Sequence, residues 1–310
     1  FKPAIGVAIG GIVLPFSFGC ILPVLFGFSD GFFDSPSLFM GSLLTATSIG
    51  ISVRILEDLN ELSSPEGVTI LGAAVIDDVL GIIILTIVLG IHSAGNINMT
   101  TLSLITVKTL GFWLILTGLG ILLSNYISKF FLGFKTPGSA VTLALALAFI
   151  AAGLAETVGL AMIIGAFSIG LALSNTKLAQ YIHKPLMSIY AIFVPIFFVV
   201  MGMMVNLQDM GGIWIFGLTM SMAAIFSKLI GSGLPALLFK FKPIESLRIG
   251  IGMIPRGEIA ILIASIGITQ GLIDSKLYGA AIMLTMISTL IAPPLLSLSF
   301  KNKSSHKDLN

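Results

Sequence analysis

Two adjacent aspartates, Asp77 and Asp78, stand in a stretch of the chain, residues 67–92, that contains no other Asp, Glu, Lys or Arg. A carboxylate in such surroundings can hold a proton or a small cation, but not both together, and this is the minimal chemistry of ion exchange. Neighbouring residues on a helix point about 100° apart, so the two side chains can border one cavity and still have different partners. We expect them to titrate as a coupled unit.

Three further ionisable residues, Lys228, Arg256 and Glu258, fall near the centres of other apolar stretches. A charge near the centre of a bilayer costs at least about 2.5–3.5 kcal/mol, so such groups are expected to face a polar interior and to pair. Lys228 most simply neutralises one of the two aspartates. For Arg256 we expect a structural role around an interrupted helix, and the role of Glu258 stays open.

Hydroxyl groups cluster at Thr45, Thr47 and Ser48, within a segment ending in Gly50 that can interrupt a helix. A second such segment, 252–257, contains two glycines and a proline, which weaken or remove helical hydrogen bonds. Interrupted helices expose backbone carbonyls and opposed dipole ends inside a membrane protein. Hydroxyl and carbonyl oxygens suit a hard cation such as sodium.

The composition predicts the environment of these groups. Of the 310 residues, 56% are hydrophobic and 10% are charged, whereas soluble domains carry about 25% charged residues. The excess apolar surface must therefore meet a lipid bilayer. A net charge of +2 gives no field that would attract nucleic acid, and the single cysteine, Cys20, excludes an internal disulfide. With no phosphate-binding glycine loop and no nucleotide-binding domain in the pattern, we expect no cofactor.

Hydropathy predicts an all-α membrane protein with about ten spans, because a helix needs about 20 apolar residues to cross the hydrocarbon and lipid offers no partners for backbone groups. The predicted spans are 3–27, 36–56, 67–92, 101–125, 139–156, 158–175, 187–206, 211–239, 245–270 and 276–300.

Basic residues predict the orientation of these spans. If the two sides alternate from Phe1, nearly all Lys and Arg beyond the spans or in their end turns fall on one side, whereas Lys276 lies opposite, with Lys108 just inside a helix. The shared side contains Lys2, Arg54, Lys129, Lys135, Lys177, Lys184, Lys240, Lys242, Arg248, Lys301, Lys303 and Lys307. The positive-inside rule places that side, with the C-terminus, in the cytoplasm. A cluster of acidic residues on this side is expected to form a solvated connection, and it consists of Glu57, Asp58, Glu61 and Glu66.

The parity of the spans predicts an inverted repeat within a transmembrane domain of residues 1–300. Segments 1–92 and 211–300 are two three-helix units of opposite topology, and the middle helix of each carries one of the interruptions. Segment 101–206 supplies the intervening helices, and 301–310 is a cytoplasmic tail.

These residues resemble those of the monovalent cation:proton antiporter-2 family, and more widely the NhaA and NapA kind of sodium/proton antiporter. The resemblance covers essentially the whole chain. Its motifs are Thr45-Ala46-Thr47-Ser48, Ile76-Asp77-Asp78-Val79, Val194-Pro195-Ile196-Phe197-Phe198, Ser227-Lys228-Leu229-Ile230-Gly231 and Pro255-Arg256-Gly257-Glu258-Ile259-Ala260. The resemblance implies a homodimer in the inner cell membrane, a core of two crossed discontinuous helices, and a dimerisation domain drawn partly from the intervening helices.

The resemblance also implies roles for single residues. Asp78 would bind the sodium ion or the proton, Thr47 would sit beside the ion, and Asp77 would pair with Lys228. Paired aspartates are typical of electrogenic members, which exchange two protons for one sodium ion. Relatives usually have about three further helices before the position of Phe1, so the chain looks N-terminally truncated. A cytoplasmic nucleotide-gating domain is not expected after residue 300.

Alternative functions make different demands on the same residues. A K⁺/H⁺ antiporter would use the same site, although potassium-efflux relatives differ by having a single aspartate and Gly-Gly-Glu where this chain has Arg256-Gly257-Glu258. A sodium-coupled solute symporter would need a roomier polar cavity and no obligatory lysine. An intramembrane aspartyl protease needs two carboxylates that converge from different helices, whereas adjacent residues diverge. A channel lacks support because the chain has no selectivity-filter signature.

Overall fold

A computed structural model of the chain describes residues 2–94, 99–134, 136–158, 160, 162–203 and 212–307. The elements in this part of the chain are all helices: α1 Lys2–Leu25, α2 Ser35–Thr45, α3 Ile49–Asp58, α4 Pro65–Ala94, α5 Met99–Gly133, α6 Ser139–Thr157, α7 Met162–Leu173, α8 Lys177–Met203, α9 Trp214–Leu238, α10 Pro243–Gly252, α11 Glu258–Thr269 and α12 Ser275–Lys307. Phe1, Lys135 and a few side chains lie outside the described part of the chain, namely those of Val194, Phe197, Phe198, Glu258, Lys301, Lys303 and Lys307.

The predicted all-helical membrane class is confirmed, since seven helical segments in the described ranges are long and apolar enough to cross a membrane. The count of ten spans stays a prediction. Helix α8 begins at Lys177 rather than at 187, because its first turns mix basic and apolar residues and hydropathy alone does not detect them.

The chain divides into two compact units, Phe1–Gly81 with Met201–Asn310, and Ile82–Val200. In the first unit, α1 packs on α2 and α9, while α12 packs on α9, α10, α11 and α3. Its buried core includes Ile70 and Ala74 of α4 and Ile249 of α10. In the second unit, α7 packs on α5 and α6 around a core that includes Phe131 and Ile169.

Helices α1 and α9 approach each other closely because each has a glycine at the contact. A Cβ atom on Gly10 would overlap the carbonyl oxygen of Gly231, and a Cβ atom on Gly231 would overlap the carbonyl oxygen of Gly10. Small residues let membrane helices pack backbone to backbone, which supplies the van der Waals contact that drives their association in lipid. This contact places α9, which carries Lys228, directly against α1.

Both expected interruptions occur. Residues 46–48 separate α2 from α3, and the backbone at Ala46 and Ser48 is extended (ψ 138° and 103°). Residues 253–257 separate α10 from α11, where Pro255 cannot donate a helical hydrogen bond. Residues 46–48 and 253–257 are all buried. The helix ends at the two interruptions therefore face protein.

One expectation about the acidic connection is wrong. Glu66 lies in the first turn of α4 and is only 2% exposed, because its side chain pairs with Arg248. Arg248 is itself only 5% exposed. Hydropathy and charge counting cannot detect such a pair, since its two members are far apart in sequence.

Candidate ion-binding site

The two interruptions lie against each other. The backbone N–H of Ser48 donates to the carbonyl of Pro255 at 2.7 Å. The hydroxyl of Thr47 lies 3.5 Å from the carbonyl oxygen of Met253, and the hydroxyl of Ser52 donates to that of Gly252 at 2.6 Å. The last carbonyls of a helix have no partner within it. The hydroxyl groups of Thr47 in the first interruption and of Ser52 in α3 therefore meet the carbonyls at the end of α10.

Arg256 ties this region to two further helices. Its Nη1 donates to the carbonyl of Ala46 at 2.8 Å, and its Nη2 lies 3.3 Å from the carbonyl oxygen of Ala224 in α9. The hydroxyl of Thr289 in α12 donates to the carbonyl of Arg256. The guanidinium is fully buried and places a positive charge at the C-terminal, partly negative end of α2.

Lys228 and Asp77 form an ion pair inside the first unit. The Lys228 Nζ lies 2.9 Å from Oδ2 and 3.2 Å from Oδ1 of Asp77. The two side chains are 0% and 1% exposed. A Cβ atom on Gly11 of α1 would overlap the hydroxyl oxygen of Ser232 in α9 and would be in ordinary contact with Nζ at 3.7 Å, so this glycine lets α1 approach α9 beside the pair. Removal of one partner would leave an uncompensated charge in the interior.

Asp78 and the hydroxyl groups lie beside this pair. Asp78 is half-buried, so it is the more accessible of the two carboxylates, and it interacts electrostatically with Lys228. The hydroxyl of Thr47 lies near enough to the carboxylate of Asp77 to interact with it electrostatically. A Cβ atom on Gly81, one turn beyond the aspartates, would lie 3.7 Å from the hydroxyl oxygen of Thr45.

The geometry therefore brings together most of the residues that the sequence suggested. Thr45, Thr47 and Ser48 are buried at the end of α2 and just beyond it; the hydroxyl of Thr45 lies near Gly81 of α4, whereas that of Ser48 lies against Gly257. Lys228 approaches from α9. The position of the Glu258 side chain lies outside the described residues. Carboxylate, hydroxyl and carbonyl oxygens at one place are the donor set of a small hard cation.

Ser52, Thr289 and Gly11 also belong to this region, although none of them was predicted as a site residue. Ser52 follows Ser48 by one helical turn, and this spacing on an otherwise apolar face was a usable signal. No sequence signal separates Thr289 or Gly11 from the many other hydroxyl residues and glycines of the chain. Their importance depends on which helices meet.

Comparison with protein families assigns the chain to a known group. Residues 1–301 match the family described as "Sodium/hydrogen exchanger, transmembrane". This match confirms the resemblance that the motifs indicated.

Several relatives are similar over nearly the whole chain. The "Probable Na(+)/H(+) antiporter GerT" of Bacillus cereus is 38% identical over 96% of this chain and 78% of its own length. The "Na(+)/H(+)-K(+) antiporter GerN" of the same species is 35% identical, over 97% of this chain and 76% of its own length. The "Na(+)/H(+) antiporter" of Enterococcus hirae is 33% identical, over 96% and 76% respectively.

Proposed function

Because the chain belongs to the transmembrane sodium/hydrogen exchanger family, we propose that it is a membrane antiporter that exchanges Na⁺ for H⁺. It is a secondary transporter and not an enzyme. The observation that carries the proposal is the buried pair of Asp77 and Lys228, with Asp78 beside it, where two interrupted helices meet. Ionisable groups in such a place are expensive for a membrane protein and are kept for ion or proton pathways.

Sodium binds at the carboxylate of Asp78 and the hydroxyl of Thr47 in this proposal. Thr45 and Ser48 contribute further hydroxyl oxygens, and Asp77 is the partner of Lys228. The half-buried position of Asp78 supports this division, since an exchanged ion needs a carboxylate that it can reach. The full burial of Asp77 and its contact with an ammonium group suit a partner that completes the site.

Exchange follows from competition for the same oxygens. On the outward-facing side, Asp78 together with Asp77 takes up protons and releases sodium, and on the inward-facing side the protons leave and sodium binds. The two states alternate because the core moves between them. If two protons move against one sodium ion, the cycle carries net charge and the membrane potential contributes about 2.3 kcal/mol per charge per 100 mV.

The wider architecture of the proposal is that of inverted-repeat transporters. Segments 1–92 and 211–300 form the repeats, their interrupted helices cross, and helices of segment 101–206 contribute to a homodimer. The distribution of lysine and arginine supports a cytoplasmic C-terminus. The protein would lie in the inner cell membrane and work without a cofactor.

The test is proton flux in proteoliposomes under a clamped voltage, with Na⁺, Li⁺ and K⁺ added in turn. The wild type should move protons when Na⁺ is added, and Asp78→Asn should lose this flux because an amide carries no exchangeable negative charge. Asp58→Asn, at an exposed carboxylate of α3, is the control and should retain it. Full sodium-dependent exchange in Asp78→Asn would refute the proposed site.

Potassium is a second candidate ion, because GerN, at 35% identity, is named an Na(+)/H(+)-K(+) antiporter. The same assay separates the cases by the concentration of each cation that gives half-maximal flux. A sodium-coupled symporter would give proton flux with none of the three ions.

A further inference from the structure

A second buried ion pair lies in the first unit, away from the aspartates of the proposed site. Nη1 of Arg248 in α10 is 2.9 Å from Oε1 of Glu66 in the first turn of α4. The two side chains are 6% and 2% exposed. By contrast, the pair of Arg54 and Asp58 in α3 has a separation of 3.5 Å and side chains that are 75% and 64% exposed.

The guanidinium of Arg248 also contacts α12. Its Nε donates to the carbonyl of Ser299 at 3.1 Å, and its carbon lies 4.5 Å from the ring centroid of Phe300. The planar group is thus held by a carboxylate, a carbonyl and an aromatic ring, and each contact fixes it in a different direction. Three helices, α4, α10 and α12, meet at this one side chain.

Two helices, α4 and α10, connect the pair of Glu66 and Arg248 to the proposed ion site. Glu66, Ile70 and Asp77 are all buried on one face of α4, and Asp77 lies three turns, or about 16 Å, beyond Glu66. On α10, Gly252 lies one turn beyond Arg248. A Cβ atom on Gly252 would meet the Cγ1 of Ile70 at 3.0 Å, so α10 contacts α4 at two successive turns.

The end of α10 is also where the proposed ion site begins. The carbonyl of Gly252 accepts a hydrogen bond from Ser52, and the carbonyl of Met253 lies 3.5 Å from the hydroxyl of Thr47. The hydroxyl of Thr47 in turn interacts with the nearby carboxylate of Asp77. A displacement of α10 along α4 would therefore move the Thr47 hydroxyl relative to the carboxylates.

We propose that Glu66 and Arg248 are positioning residues for cation binding: their buried ion pair sets the register of α10 on α4 and thereby the geometry of Thr47 and the two aspartates. The inference rests on the proposed function of that site. Neither residue touches the ion. The packing of Ile70 on Gly252 alone would allow α10 to slide along α4. The guanidinium of Arg248 has one favourable arrangement, because it contacts a carboxylate, a carbonyl and an aromatic ring together.

The test uses two variants and a matched control. Arg248→Lys keeps the charge beside Glu66 but loses the fork that also reaches Ser299. The double variant Glu66→Gln with Arg248→Met removes both charges and leaves no unpaired ion in the interior. The control, Arg54→Met with Asp58→Asn, removes the exposed pair of α3.

Two sodium readouts distinguish positioning from a merely structural role. One is the Na⁺ concentration for half-maximal proton flux in proteoliposomes. The other is the Na⁺ concentration for half-maximal thermal stabilisation of the purified protein. Both should rise by about tenfold in the double variant and by less in Arg248→Lys, because a displacement of about 1 Å at a site changes its interactions by that order or more. The control should match the wild type.

Unchanged sodium concentrations in folded variants would overturn the positioning role. Failure of both variants to fold would also overturn it, since the pair would then be needed for folding alone. A wild type that shows no cation-dependent proton flux would instead refute the proposed function, which keeps the two failures apart.

Discussion

Lys228→Met is the substitution whose effect on stability can be worked out most directly. Methionine keeps an unbranched chain of similar length but removes the ammonium group that lies 2.9 Å from Asp77. At this separation and an effective dielectric constant of about 20, the attraction between the charges is about 6 kcal/mol. Much of it offsets the cost of burying two ions, and removal of one partner of such a pair typically costs about 3–5 kcal/mol.

The surroundings of Asp77 favour a loss of stability at the lower end of the range of about 3–5 kcal/mol. The Thr47 hydroxyl and the Arg256 guanidinium still interact favourably with the Asp77 carboxylate. We therefore expect Lys228→Met to lower the free energy of unfolding by about 3 kcal/mol, which raises the ratio of unfolded to folded protein by roughly two powers of ten. The double variant Asp77→Asn with Lys228→Met leaves no buried charge at the pair and should recover about 2 kcal/mol of the loss.

The assay is denaturant unfolding of the purified protein in detergent, followed by intrinsic fluorescence. Lys108→Met removes an exposed lysine from the apolar helix α5 and should change the free energy of unfolding by less than about 0.5 kcal/mol. The reasoning is refuted if the double variant is no more stable than Lys228→Met, because the loss would then come from packing around residue 228 and not from an uncompensated carboxylate.

Three other substitutions test separate parts of the site. Thr47→Val keeps the shape of the side chain but removes its hydroxyl group. We expect the Na⁺ concentration for half-maximal proton flux to rise by about tenfold or more, because the ion loses one oxygen contact. An unchanged concentration would exclude Thr47 as a ligand. Arg256→Lys keeps the charge but loses the forked guanidinium group that reaches the carbonyl of Ala46. It should destabilise the protein by about 2–4 kcal/mol in the unfolding assay. Wild-type stability would show that the carbonyl contacts are dispensable. Gly231→Leu forces a side chain against Gly10 and should cost about 1–3 kcal/mol or more, whereas a stable, active variant would mean that α1 and α9 can separate without consequence.

Some features of the protein follow from its sequence alone. Apolar runs in a chain with 10% charged residues require helices in lipid, because no other element satisfies its own backbone there. The two interruptions were predictable for the same local reason, since proline, glycine and hydroxyl residues compete with helical hydrogen bonding within a few residues. The aspartates and Lys228 stood out because charge in an apolar run is costly wherever the run packs.

The tertiary structure decided which of these groups touch. Residues alone left Lys228 able to neutralise either aspartate, and only the rotation of α4 against α9 places its ammonium group on Asp77 and leaves Asp78 more accessible. Glu66 was misread as a solvated acid because its partner, Arg248, is distant in the chain. Burial and pairing depend on how helices pack, and a pattern with a period of 3.6 residues says which face a residue occupies but not what that face meets.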